Sequence, residues 1–198
     1  LLAIEPGFRY DAVSYTDDKL YSPRLNIRIT PMESTSINFC WGYFYQPQKI
    51  YELDIPDGDT TFYLAERAEH WIVGFDHDFK ETVKLKIEGY VKKISNLKPD
   101  YRNWLNYINL FPEAWFDRIK LNIDRVTCRG IDFTLKNSTD SKISWNISYS
   151  LSSIKEDVKS YLYEGQEIPV NEELPGMFDQ RHTDRKSTRL NSSHVSQS

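Results

Sequence analysis

The side chains able to do chemistry are few and scattered. Asp76-His77-Asp78 is the tightest group of metal-ligating types, with His70 and His182 as distant helpers. Successive side chains of an extended strand point to opposite faces, so His77 is directed away from both aspartates. The three residues therefore read as a strand end rather than a metal centre, and no cofactor of the chain's own is expected. Glu66, Arg67, Glu69 and His70 form a charged group that either meets a ligand or pins a loop to its neighbours. Between Leu97 and Arg125 lie Tyr101, Arg102, Trp104, Tyr107, Trp115 and Arg118. Aromatics and Arg are common binding anchors, so these residues either contact a ligand or pack the loop on itself. A hydrolase would need a nucleophile with a placed base. None of His70, His77 and His182 stands beside an obvious Ser nucleophile, so the chain is not read as an enzyme. Cys40 and Cys128 lack the spacing of a zinc site and are too few for a disulfide framework.

The elements that must carry these residues follow from period. Leu25, Ile27 and Ile29 alternate with Arg24, Asn26, Arg28 and Thr30. Ile37, Phe39, Trp41, Tyr43 and Tyr45 share one face, opposite Asn38, Cys40, Gly42, Phe44 and Gln46. Trp71, Val73, Phe75 and Phe79 oppose His70, Gly74, Asp76 and Asp78. Val83, Leu85, Ile87 and Val91 oppose Lys84, Lys86, Glu88, Tyr90 and Lys92. Ile131, Phe133 and Leu135 oppose Gly130, Asp132, Thr134 and Lys136. Ile143, Trp145, Ile147, Tyr149 and Leu151 alternate with polar partners, and Ile4–Asp11 is a weaker match. Period two on this scale predicts strands with one apolar and one polar face.

The joining segments alternate in length. Pro31–Ser36, Lys80–Thr82 and Asn137–Ser141 are short, whereas Pro47–Glu69, Ile94–Arg125 and Ser153–Thr183 are long. Three long unstructured loops are unusual in a soluble domain. Short turns at one end and long loops at the other are the pattern of outer-membrane barrels. Strands of about ten residues, tilted near 45°, cross about 23 Å, close to the apolar band of such barrels. The polar face would then line a lumen and the apolar face would meet lipid. The lipid-facing set is Leu25, Ile27, Ile29, Phe39, Trp41, Tyr43, Val73, Phe75, Leu85, Ile87, Ile131, Phe133, Trp145, Ile147 and Tyr149. Aromatics near strand ends, such as Tyr43, Tyr45, Trp71 and Phe79, suit interfacial girdles. A soluble β-sandwich, with the same apolar face as its core, stays open at this point. In a barrel the Ile37/Phe39/Trp41 face is expected to stay uncovered on one curved sheet.

Composition sets outer limits. The 198 residues carry 25 Lys and Arg against 29 Asp and Glu, a net charge of −4, with no electrostatic case for nucleic acid. Mean hydropathy is −0.60 and no apolar run is long enough for a membrane-spanning helix. Barrel strands alternate, so a polar average does not exclude them. Aromatics reach 14%, with 13 Tyr and 5 Trp, enough to furnish girdles or binding surfaces.

The order and wording of several segments resemble the barrel of a TonB-dependent receptor. They are Glu5–Asp11, Ser22–Pro31, Trp41–Leu53, Ala65–Phe79, Asp117–Lys136, Ile143–Ser152 and Phe178–Thr183, where the family begins another strand. The resemblance covers nearly all of Leu1–Thr183. It implies an all-β, antiparallel up-and-down meander, an incomplete segment of a transmembrane barrel of about 22 strands with long extracellular loops. It further implies active uptake of a scarce nutrient, a ferric siderophore or similar, across the bacterial outer membrane. The partners implied are the TonB complex (through an N-terminal plug), the nutrient and outer-membrane lipid. A passive porin-like barrel and a secreted β-sandwich binding module are the alternatives.

The ends carry expectations of their own. The chain starts at Leu1 without Met or a visible signal peptide. Back-translated, Asp184–His194 fits a common short-read sequencing adapter, so 184–198 is expected to be an adapter-derived disordered tail. Residues 1–183 then form a partial barrel of about seven strands, cut at both ends. Alone, such a piece should aggregate and should not transport.

Overall fold

A computed structural model describes residues 1–198 except 54, 56, 57, 80, 81, 106–115, 138–142, 177, 178, 180 and 191–198. For 143 and 184–190 the description covers the backbone. The strands are β1 (Leu2–Val13), β2 (Asp18–Met32), β3 (Thr35–Gln46), β4 (Glu66–Phe79) and β5 (Val83–Ser95). They are followed by β6 (Asp100–Asn103), β7 (Arg118–Asn137), β8 (Ile143–Tyr163), β9 (Gln166–Pro175) and β10 (His182–Leu190). A short 3-10 turn lies at Ile50–Glu52. All ten strands form a single sheet in the order β1-β2-β3-β4-β5-β7-β8-β10, with β6 on β7 and β9 on β8. Every pairing is antiparallel, and the sheet does not close. The fold is therefore an open all-β meander.

Register turns the alternation of each strand into continuous rows. Ile29, Ile37, Phe75, Ile87, Phe133 and Tyr149 lie in register from β2 to β8. So do Ile27, Phe39, Val73, Gly89, Ile131 and Leu151. β1 extends the same face with Leu2 and Ile4 opposite Ile29 and Ile27. Its Pro6 is tolerated because β1 is an edge strand. Among the described residues no second layer covers this face: Val73 and Ile131 are each 54% exposed, and Trp71 and Phe75 are exposed too.

The apolar band has edges. Towards the distal end the same face continues into Tyr43–Glu69–Lys93–Thr127–Lys155, then Tyr45–Arg67–Ser95–Arg125–Asp157. Trp41 and Trp71 sit just inside that charged margin, with ring centroids 5.9 Å apart. Phe79 and Trp145 mark the other margin, where Phe79 pairs with Val83 and Trp145 with Asn137. From Trp71 to Phe79 the band runs about 26 Å along β4.

The sequence expectations differ from the structure in three places. Ten strands form rather than about seven. The long connections are not free of structure: β6 and the distal part of β7 occupy the 94–125 stretch, and distal β8 with β9 occupy 153–175. Two causes hid these strands. Register shifts at Asn122/Ile123 and Ile123/Arg125 against β8, and at Val158/Ser160 against β9, break the alternation. Glu164 and Gly165, both with positive φ, close a two-residue hairpin between β8 and β9. Third, the backbone of 184–190, set aside above as adapter-derived, pairs with β8 as part of β10. An open edge presents unpaired N–H and C=O groups that any extended segment can satisfy, whatever its sequence. The tail beyond Leu190, most of the expected Lys80–Thr82 and Asn137–Ser141 turns, and Phe178 lie outside the described residues.

Candidate ligand site at the distal rim

β7 and β8 are 20 and 21 residues long. At about 3.3 Å per residue they reach roughly 66 Å, well past the apolar band. Their distal ends, with β6, β9 and the 47–65 connection, build a separate small structure. Its centre is apolar: Ile119, Leu121 and Val158 are buried, with Ile123, Tyr161 and Val170 packed against them.

Polar groups tie the connection to this core. Buried Gln48 accepts the Tyr63 N–H at 2.9 Å and donates to the Glu52 carbonyl at 3.1 Å. Its own carbonyl accepts the Tyr15 hydroxyl at 3.0 Å. Lys98 pairs with Glu52 at 2.9 Å. Asp59 is the main junction. It accepts from Lys120 at 2.7 Å, Tyr101 at 2.9 Å and Tyr63 at 3.0 Å. Burial favours a neutral Asp59, but these three donors outweigh it and hold the carboxyl below its usual range. Burial, and the bond it donates to Asp59, push the Tyr101 phenol up to about 12 against the pull of Lys120.

The tip also carries an open pocket of about 340 Å³. Trp104, Leu105 and Phe116 form its outer lip and Tyr161 and Tyr163 its wall, over Ile119 and Asp117. Trp104 and Tyr161 have ring centroids 6.1 Å apart at 47°. Trp104 is 63% exposed and Phe116 78%. Asp117 is buried and accepts from Asn103 and from the Leu105 N–H, each at 3.0 Å. Those two bonds lower its pKa and keep the pocket floor anionic.

The sequence-predicted residues divide. Tyr101, Arg102, Trp104 and Arg118 come together here, because β6 pairs with the start of β7. Only Trp104 lines the pocket. Arg102 is held between Asp100 at 2.6 Å and Glu156 at 2.8 Å. Arg118 lies over the Tyr101 ring, 4.8 Å from its centroid. Trp115 and Tyr107 lie outside the described residues. Glu66 and Arg67 stand elsewhere, at the charged margin, where Arg67 covers the Tyr43 ring at 5.2 Å. Burial raises the Glu66 carboxyl despite nearby Lys98. Asp59, Tyr63, Phe116, Lys120, Tyr161 and Tyr163 were not singled out by sequence. A run of Tyr161 and Tyr163 just before a Glu-Gly turn was the available signal for a wall at a hairpin end.

The opposite face of the sheet body is polar. A trough of about 640 Å³ there is lined by residues including Arg28, Asn38, Asp76, Lys84, Lys86 and Glu88. Asn38 accepts from Arg28 at 2.8 Å and donates to Asp76 at 2.7 Å. Lys86 pairs with Glu88 at 2.9 Å. Asp76 thus faces the trough, whereas His77 bonds Thr35 at 2.8 Å and lies against Phe75 and Phe79. Among the described residues no group of three His, Cys, Asp or Glu side chains is placed to hold a metal ion. No helix of the described residues is long and apolar enough to cross a membrane, which says nothing of strands.

Neither a protein-family model, nor a curated protein, nor a solved structure matches this chain.

Proposed function

We propose that this chain is a stretch of wall from a large bacterial outer-membrane β-barrel resembling the TonB-dependent receptors. The whole protein would take up a scarce nutrient, a ferric siderophore or similar, with energy from the TonB complex contacted through a plug. Transport, not catalysis, is the proposed role. One observation carries the reading: a single-layer sheet bears exposed apolar rows across six strands, with no second layer over them among the described residues and charge on its reverse. In water that face would cost roughly 25 cal/mol for each Å² left uncovered. In lipid it is the expected exterior, and the trough of paired charges is the expected lumen. The charged margin beyond Trp41 and Trp71 suits the step from hydrocarbon to headgroups. Open edges at β1 and β10 call for further strands, because lipid cannot satisfy free backbone groups.

The test uses single-tryptophan variants of the full chain refolded into vesicles of brominated phosphatidylcholine. Trp41, Trp71 and Trp145 should be quenched by the lipid and Trp104 by aqueous iodide. A cooperatively melting, water-soluble monomer, with Trp41 and Trp71 quenched by iodide alone, would overturn the membrane reading. The transport part is tested on the source DNA. A plug with a TonB-contact motif encoded upstream supports it, and a stop codon or signal peptide directly before Leu1 removes it.

A further inference from the structure

We infer that the rim pocket binds the flat, uncharged ring of a small organic molecule by stacking on Trp104, and not an anionic metal chelate. The inference rests on the transport reading for its biological use, since it names the ligand class for that rim. The physical case stands on the pocket itself.

Size comes first. At about 340 Å³ the pocket lies at the small end of the range known for small-molecule sites, about 300–1,000 Å³. That suits one or two fused rings. Shape and surface come next. Trp104 and Phe116 stay largely uncovered, although a buried core of Ile119, Leu121 and Val158 lies directly beneath. Three aromatic side chains besides Trp104 line the opening. Exposed aromatic faces set around a concave site favour offset or tilted stacking of a further ring.

Charge decides between ligand classes. An anionic chelate needs cations, and among the described residues that line the pocket none is Lys or Arg. The nearby cations are engaged: Arg102 with Asp100 and Glu156, Lys120 with Asp59, Arg118 over Tyr101. The charge the pocket does contain is the Asp117 carboxylate, already bonded to Asn103 and the Leu105 N–H. Its field repels an anion, while each of its oxygens already accepts a bond within the protein and a neutral ring meets no such repulsion.

The probe is 1-naphthol, with 1-naphthoate as its anionic counterpart, measured by equilibrium dialysis on the full chain in phosphatidylcholine vesicles. The Trp104-dependent part of binding is the difference between the unsubstituted chain and Trp104→Ala. Trp104→Ala should weaken 1-naphthol binding about tenfold and Trp104→Phe much less, because a ring remains. Naphthoate should bind about tenfold more weakly than naphthol. Trp104 is exposed, so its removal leaves the fold intact, which far-UV circular dichroism checks. Tyr163→Ala supplies an independent second variant on the opposite wall. Equal binding to both variants and the unsubstituted chain, or naphthoate binding as tightly as naphthol, overturns the inference. Lipid quenching of Trp41 and Trp71 is read separately. Lost naphthol binding with that quenching intact sinks the pocket alone, and the converse sinks the barrel wall alone.

Discussion

In the body of the sheet, Ile37, Trp71, Val73, Phe75 and Ile131 face outward and stay exposed. At the distal tip, Ile119, Leu121 and Val158 are buried by their own neighbours. The two regions share β7 and β8, so the same strands change environment along their length. The body leaves its apolar face exposed among the described residues, which the proposed lipid contact would remove from water. The tip supplies its own core and adds ion pairs at Asp59, Glu52 and Glu156. On the proposed membrane reading, the charged margin through Glu69, Lys93 and Lys155 would divide two solvents, and it is set by register rather than by a break in the chain.

The largest expected effect breaks the body. Val73 lies in the apolar band, one row from its middle at Phe75. Val73→Lys should destabilise the chain in vesicles by about 2–4 kcal/mol, the cost of a lysine near the bilayer midplane. Ser150→Lys, on the polar face in register with Asp132, should change stability by less than about 1 kcal/mol. Denaturant titration in vesicles reads both. Equal, small effects would place water on both faces, and the contrast between body and tip would vanish.

A smaller effect tests whether the tip is an independent unit. Val158 is 2% exposed and central to the tip's core. Val158→Ala should cost about 2 kcal/mol, from two lost methyl equivalents and a partly collapsed cavity. The loss should appear as faster amide exchange in β9 and distal β8, with β2–β5 unchanged. Faster exchange throughout β2–β5 would mean that body and tip unfold as one.

The body was far more legible than the tip. Alternation alone placed β2, β3, β4 and β5, because each keeps one face largely apolar across the band. Every expected member of the lipid-facing set with a described side chain falls on one face; whether lipid meets it is the question put to Val73. The tip hid because its strands are bulged. Between Asn122 and Arg125 the register shifts twice, so Ile119, Leu121 and Ile123 no longer predict the face of Val126 and Cys128. Of the site, Trp104 was visible from residue type. Its partners were not, since Tyr161 and Tyr163 arrive on β8 and Asp59 on the 47–65 connection. Pairings over such sequence distances leave no local pattern to read.

The smallest expected effect sharpens the tip's electrostatics. Asp59 has a depressed carboxyl pKa, so its contribution is present above about pH 4 and is lost as pH falls through its lower folded value. Tyr101 is raised from 10 to about 12, so its contribution is present below pH 10 and is lost as pH rises to about 12. One junction therefore weakens at both ends of the scale, by loss of an acceptor charge in acid and of a phenolic donor in base. Asp59→Asn keeps the shape but removes the charge, and should cost about 1–2 kcal/mol at neutral pH. It should also flatten the acid limb of tip opening and bring the Tyr101 titration, followed at 295 nm, down towards 10. The body makes no use of Asp59, so exchange in β2–β5 should keep its pH dependence. If Asp59→Asn leaves both limbs unchanged, Lys120 and the two tyrosines are held by packing alone, and the charge network does not stabilise the tip.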